Sequence, residues 1–299
     1  VSEDEDALSL EDIAALEDVS VDKIDGKFLR AHSEYGATAG MALNSEAGMA
    51  LWYTITAESQ APTSNWLLFE SGHTYKDLGK IVSAGSDGES ELHPLHITSW
   101  GAGPAPNLKG GFSISQGHSE FVVISNLDVT GGLTVKESSD ILITDTELTG
   151  QGVGLRDSES ITFHDSSVSH VVNLNYEGEE WTTLSQGLIA KNVSGLLLEG
   201  NIFHHNAWQD DFREDGSTEG GMAPNQYSHN VYLQWDTDDV TYRDNISSQS
   251  SSVGAQLRGG AFAEDNVFLD NNVAVNFLGG NYKDYGHCGK FTFFGDNVV

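Results

Sequence analysis

The chain has one cysteine, Cys288, which excludes an intrachain disulfide and a cysteine-based metal centre. Basic residues are scarce: Lys and Arg total 14 against 45 Asp and Glu, a formal charge of −31. A surface so acidic repels nucleic acid and anionic membranes, and neither is expected as a partner. It also suits high salt, where repulsion is screened within a few ångströms, and so fits a marine or halophilic extracellular source. No apolar run approaches the ~18 residues of a spanning helix, so membrane insertion is not expected. Proline is rare, 5 residues, while glycine reaches 33. With many Asn, Asp and Ser, that composition suits short strands joined by tight turns. Neither a Gly-rich phosphate loop nor a nucleophile elbow occurs. The sequence begins at Val1 rather than Met, as expected of a processed or trimmed chain whose signal peptide would be out of view; the localisation expected is secreted, extracellular or periplasmic.

What is present is a repeat. Six segments align when stacked: Leu133-Thr134-Val135-Lys136, Val153-Gly154-Leu155-Arg156, Leu188-Ile189-Ala190-Lys191, Val231-Tyr232-Leu233-Gln234, Ala255-Gln256-Leu257-Arg258 and Val275-Asn276-Phe277-Leu278. Their first and third columns are apolar throughout, the period-2 pattern of strands with one face on a core. Leu133, Leu155, Leu188, Leu233, Leu257 and Phe277 are therefore expected to point inward. A second set, Val122-Val123-Ile124, Ile141-Leu142-Ile143, Ile161-Thr162-Phe163, Leu196-Leu197-Leu198, Val240-Thr241-Tyr242 and Ala261-Phe262-Ala263, opens successive units. These start at residues 122, 141, 161, 196, 240 and 261, steps of 19, 20, 35, 44 and 21 residues.

A period near 20 with two longer steps marks a solenoid whose coils carry insertions, here at about 174–186 and 206–228. Hairpin dipeptides are missing between the segments, which argues against a sandwich. The fold expected is all-β, a right-handed parallel β-helix (solenoid) with an N-terminal capping segment. Asn201, Asn245 and Asn266 share one offset, with Asn297 similar, and are read as a structural ladder at a coil corner. Residues 1–25 form an acidic lead, either a solvated linker or an amphipathic capping helix. Its Leu8, Ile13 and Leu16 share a face, and Ser9 or Asp6 is the N-cap. The β-helix is assigned to 26–299, with turn-rich pieces around Trp52-Tyr53-Thr54-Ile55 and short strands evident from Trp66.

The fourth column of the six rows reads Lys, Arg, Lys, Gln, Arg, Leu. Lys136, Arg156 and Lys191 fall on successive rungs, and Arg258 lies two rungs beyond. Like charges about 4.8 Å apart repel by roughly 1 kcal/mol in water and more where desolvated. Either these side chains splay into solvent beside acids such as Asp157, or they bind a polyanion. Tyr232 and Gln256 stand beside Gln234 and Arg258, with Asn276 next in the same column. A Tyr beside such cations can exchange a proton in a carbohydrate site; it can equally serve as a shelf for a sugar ring. His229, three residues upstream, can act as a base or a neutral donor. His204, His205 and Trp208 sit at a corner on the previous rung.

No cofactor is required by this chemistry. Ca²⁺ is a candidate at Asp210-Asp211, Asp236-Thr237-Asp238-Asp239 and Asp265, although no EF-hand spacing occurs. Glycoside hydrolysis needs two carboxyl groups flanking the bond, and no outward column of the six rows pairs Asp or Glu.

The segments Val240-Thr241-Tyr242-Arg243-Asp244-Asn245, Gln256-Leu257-Arg258-Gly259-Gly260 and Glu264-Asp265-Asn266-Val267-Phe268-Leu269 resemble the catalytic coils of right-handed β-helix polysaccharide lyases, the alginate lyase and chondroitinase B group. The resemblance covers residues 120–280. It implies an Arg assisting as acid on a Leu-Arg-His-Gly segment, matched by Arg258, and a Lys acting as base about one coil earlier. This chain has Gln234, Trp235 and Asp236 there, so the base falls to Lys191, His229 or Tyr232. The expectation is a secreted, monomeric uronate lyase acting on an anionic polysaccharide, alginate-like, by β-elimination. Lys191, Tyr232, His229 and Arg258 are its catalytic candidates, and Lys136, Arg156, Gln234, Gln256 and Asn276 its binding residues. A mannuronan C5-epimerase-like enzyme and a non-catalytic glycan-binding adhesin are the alternatives.

Overall fold

The computed structural model describes residues 1–57, 61–78, 81–82, 86–114, 117–172, 185–210, 222–279 and 291–299. Three helices come first: α1 (Leu10–Leu16), α2 (Gly26–Ala31) and α3 (Ser45–Ile55). Each starts at a polar cap. Ser9 and Asp12 form a reciprocal capping box on α1, Asp25 accepts from the Lys27 and Phe28 amides on α2, and Asn44 accepts from the Ala47 amide on α3. A side-chain oxygen there satisfies amides that have no partner within the helix.

Ile13, Ala14, Ile24, Leu29, Tyr35, Leu43 and Ala47 form a small core within this cap. Leu16 is not part of it: at 65% exposure it faces solvent, because one short helix buries little more than Ile13 and Ala14. The stretch expected to be turn-rich, Trp52 to Ile55, is the last turn of α3. Its Trp52 is buried against the solenoid core and donates its indole N–H to the Ile81 carbonyl at 2.6 Å. The first strand begins at Trp66, so the helical cap runs well past residue 25 and the strands start well past residue 26.

From Trp66 the chain winds as parallel strands. The six stacked segments pair in the register expected. In the first column Leu133 faces Val153, Val153 faces Leu188, Leu188 faces Val231, Val231 faces Ala255, and Ala255 faces Val275. Phe112-Ser113-Ile114 adds a row before them. A second face stacks Leu95 on Val122 and Ile161 on Leu196, then Leu196 on Val240. A third stacks Leu148 on Val168, Val168 on Phe203, Phe203 on Ser247, and Ser247 on Phe268. Three parallel faces around one continuous apolar core make a parallel β-helix.

Leu133, Leu155, Leu188, Leu233 and Leu257 are fully or almost fully buried, as the alternation requires. Phe277 is the exception at 39% exposure. The strand of the last row stops at Asn276, so Phe277 is no longer held by the ladder and instead meets Phe294 edge-on, 5.6 Å between centroids.

The corner between the second and third faces explains much of the sequence. At each coil the residue before the corner adopts a left-handed conformation: Asp145, Asp165, Gly200, Asp244, Asp265 and Asp296 all have φ between 44° and 69°. Glycine and Asp tolerate that region better than most residues. The next residue caps its neighbour. The side chains of Asn245, Asn266 and Asn297 accept from the main-chain N–H of Asn201, Asn245 and Asn266 at 2.9–3.0 Å. Their own amides donate onward in turn, Asn245 to Asn266 at 3.1 Å and Asn266 to Asn297 at 2.9 Å. The Asn ladder is structural, and Ser166 continues it toward the N-terminus.

Leu233→Ala is expected to lower unfolding free energy by about 2–5 kcal/mol, through lost burial and a residual cavity, as measured by denaturant titration. Phe277→Ala, at a half-exposed site, should cost clearly less. Asn245→Ala should destabilise more than Asn297→Ala, because it orphans buried groups on both neighbouring coils.

Candidate active site

The outward faces of the six-row sheet carry the second and fourth columns, and they floor a cleft of about 1150 Å³. Thr134, Gly154, Ile189, Tyr232, Gln256 and Asn276 lie along it in order. The strands beneath stop at Leu233 and Leu257, which lets Gln234 and Arg258 turn over the floor. Gly259 makes the turn after Arg258 possible: a Cβ there would sit 1.9 Å from the Thr237 carbonyl oxygen.

Arg258 is 9% exposed and held from several sides. Its Nε donates to the carbonyls of Gly279 at 2.8 Å and Leu278 at 3.2 Å. Its Nη1 donates to the Tyr232 hydroxyl at 2.9 Å. A charged donor aimed at a phenolic oxygen sits where negative charge collects when that phenol gives up its proton.

His229 lies beside this pair, its ring edge-on to Tyr232 at 5.2 Å and 81°. Its main-chain N–H is held by Gln186 Oε1 at 2.7 Å, while Gln186 Nε2 donates to the Tyr227 carbonyl at 2.8 Å. Burial pushes the His229 pKa down to about 4, opposed by the Ser228 main chain. The imidazole is therefore neutral at neutral pH.

Seven of the nine sequence-derived candidates meet in this cleft: Arg156, His229, Tyr232, Gln234, Gln256, Arg258 and Asn276. Lys136 and Lys191 do not line it. Lys191 is exposed, and Lys136 pairs with Glu137 at 2.7 Å. The basic column is thus not one continuous strip. Lys136 splays beside its acidic neighbour, the arrangement that like-charge repulsion favours.

Gln151, Gln186, Gln226 and Tyr227 also line the cleft and were not legible as site residues. For Gln186, Gln226 and Tyr227 the only signal was their position at the edges of the two insertions expected to wall the cleft; Gln151, within a long strand, gave none. The centres of those insertions, 173–184 and 211–221, lie outside the described residues. In a chain with 45 acidic residues, none of the described lining residues is Asp or Glu.

Two of the candidate calcium carboxylates have other neighbours within reach. Asp210 Oδ1 lies 3.3 Å from His205 Nε2, and Asp236 Oδ1 accepts the Asn192 main-chain N–H at 3.0 Å. Asp265 forms a left-handed corner, and Asp211 lies outside the described residues. Among the described residues, ligand atoms converge within 4.8 Å at Asp4, Glu70 and His73, where the N-terminal segment meets the first strand rather than in the cleft.

Nothing among curated proteins matches the sequence. In fold the chain is similar to the alginate lyase from Paenibacillus sp. str. FPU-7, with a TM-score of 0.55 and 13% identity over 84% of this chain and 97% of that one. It is also similar to pectate lyase Pel9A, with a TM-score of 0.49 and 11% identity over 88% of this chain and 74% of that one. The model of the right-handed β-helix region matches residues 110–287, which takes in all six stacked rows and the cleft they floor. The chain belongs to the right-handed β-helix family.

Proposed function

We propose that the protein is a polysaccharide lyase that cleaves an anionic uronate polymer by β-elimination. The observation that carries this reading is the Tyr232–Arg258 contact, set in a cleft whose described lining has no carboxylate. Paired carboxyl groups, the requirement for glycoside hydrolysis, are missing from the described lining. A proton-transfer group with a fixed cation behind it is present. The likeness in fold to an alginate lyase makes alginate the first substrate to test.

In the reaction proposed, Tyr232 acts from its phenolate form: its oxygen takes the C5 proton, becoming the phenol, and the electrons flow toward the uronate carboxylate. They return to form the C4–C5 double bond as the C4–O4 bond breaks, and the O4 oxygen leaves with a proton from the same phenol. Arg258 holds the Tyr232 oxygen and stabilises the charge it carries. Gln234, Gln256 and Asn276, which line the cleft, donate to the sugar carboxylate in this reading. Arg156 lies three rungs from Arg258, about 14 Å along the stack, and holds a carboxylate further along the polymer. Ca²⁺ has no assigned step. Lys191, exposed and off the cleft lining, gives way to Tyr232 as base.

The direct test is incubation with alginate, pectate and glycosaminoglycans while following ultraviolet absorbance of the new unsaturated ends. Appearance of that chromophore is expected. C5 inversion without cleavage, read by NMR, would assign an epimerase instead, and binding alone an adhesin. Arg258→Ala should lower kcat by at least about a hundredfold, as loss of acid–base machinery does. Arg156→Ala should chiefly raise KM for long chains, and Lys136→Ala should change little. Substrate affinity should fall as ionic strength rises from about 0.05 to 0.5 M, because screening weakens the Arg–carboxylate attraction. A flat or rising affinity over that range would remove the arginines from substrate binding.

A further inference from the structure

We infer that His229 is a positioning residue for the proposed elimination: its uncharged ring braces the Tyr232 phenol against Arg258, and charging that ring releases the brace. The inference rests on the lyase reading above. It begins with packing. His229 is 4% exposed and meets Tyr232 edge-on, so the phenol cannot swing away from Arg258 on that side without displacing the imidazole. The imidazole is itself tethered, since its main chain is held by the Gln186 side chain, which also grips the Tyr227 carbonyl. Residues 227 to 229 and the wall at residue 186 therefore form one unit behind Tyr232.

The second observation is that His229 Nδ1 is buried with no hydrogen-bond partner among the described residues. An unsatisfied buried nitrogen is destabilising. A phenylalanine would fill similar space without that penalty, so an imidazole here points to use of its polar, titratable character. Tyr232, on the strand that follows, meets its ring edge-on, Gln186 holds its main chain and the Tyr227 carbonyl at the wall, and Arg258, one rung on, holds the Tyr232 hydroxyl. None of the described cleft residues is a carboxylate that could balance a protonated ring. An imidazolium would therefore place a second cation beside the Arg258–Tyr232 pair and disturb the geometry of the phenol between them. Burial holds the ring neutral down to about pH 4, which keeps Arg258 as the cation acting on Tyr232 through the neutral range.

The test compares wild type, His229→Ala and His229→Gln on the uronate polymer that the wild type cleaves. His229→Ala should lower kcat by about tenfold or more with KM changed by less than about threefold, the split expected of a group acting on the transition state. His229→Gln, polar and never charged in this range, should restore most of kcat. Wild-type kcat should fall as pH is lowered through about 4, and that limb should be absent in His229→Gln. A purely structural role would lower stability but leave the shape of the pH profile intact.

Wild-type kcat in His229→Ala, or an unchanged acid limb in His229→Gln, would overturn the role of His229 alone. Should His229→Ala fail to fold, the pH profile of His229→Gln decides. A wild type that makes no unsaturated ends on any uronate polymer overturns the lyase reading, and this inference with it.

Discussion

The structure depends on one constraint, the in-register stacking of parallel strands about 4.8 Å apart. Each coil repeats the hydrogen bonding of the coil before it, so a residue's neighbours are its equivalents one turn away. Apolar columns meet apolar columns and fuse into a single core running from Leu67 to Phe268. Outward columns become straight rows of side chains. Catalytic or binding groups on such rows are spaced by backbone geometry, which is well matched to a polymer lying along the stack.

Stacking of this kind must turn corners. The chain turns one of them with a left-handed residue followed by a capping polar residue, most often Asp then Asn. A substantial part of the acidic composition is therefore conformational. Asp165, Asp244, Asp265 and Asp296 stand where the backbone needs a residue tolerant of positive φ, and the residue after each caps the previous coil through its side chain or joins the Asn ladder. Among the acidic residues that suggested a cation site by clustering, Asp265 also forms a left-handed turn, Asp236 accepts a main-chain N–H, and Asp210 lies beside the His205 ring.

The cleft departs from the rest of the surface in charge. Its described lining holds two arginines, six side-chain amides and no carboxylate, on a chain of net charge −31. Repulsion of an anionic polymer is therefore weaker at this cleft than over the acidic remainder of the surface. Within the cleft, the fixed guanidinium of Arg258 on the Tyr232 oxygen is an arrangement that needs no movement to meet developing charge. The bracing ring of His229 limits how far the phenol can stray.

The sequence alone determined the solenoid. Period-2 alternation within units of about 20 residues has one compact solution when hairpin turns are missing, and the six rows pair in the register aligned up to Asn276 in the last. It also determined that Tyr232, Gln256, Gln234 and Arg258 share a face, because register fixes direction. It did not determine the cap: Ser45–Ile55 carries no long apolar period, and its helix is fixed by the Asn44 cap and by Trp52 docking on the solenoid. Nor could the column by itself separate Arg258 from Lys136 and Lys191; only the resemblance set Arg258 apart. Only the tertiary structure folds Arg258 over the end of its strand onto Tyr232 and leaves the two lysines outside the cleft lining. The reason is physical: a one-dimensional repeat specifies which way a side chain points, whereas burial and partners depend on what the insertions and neighbouring coils place against it.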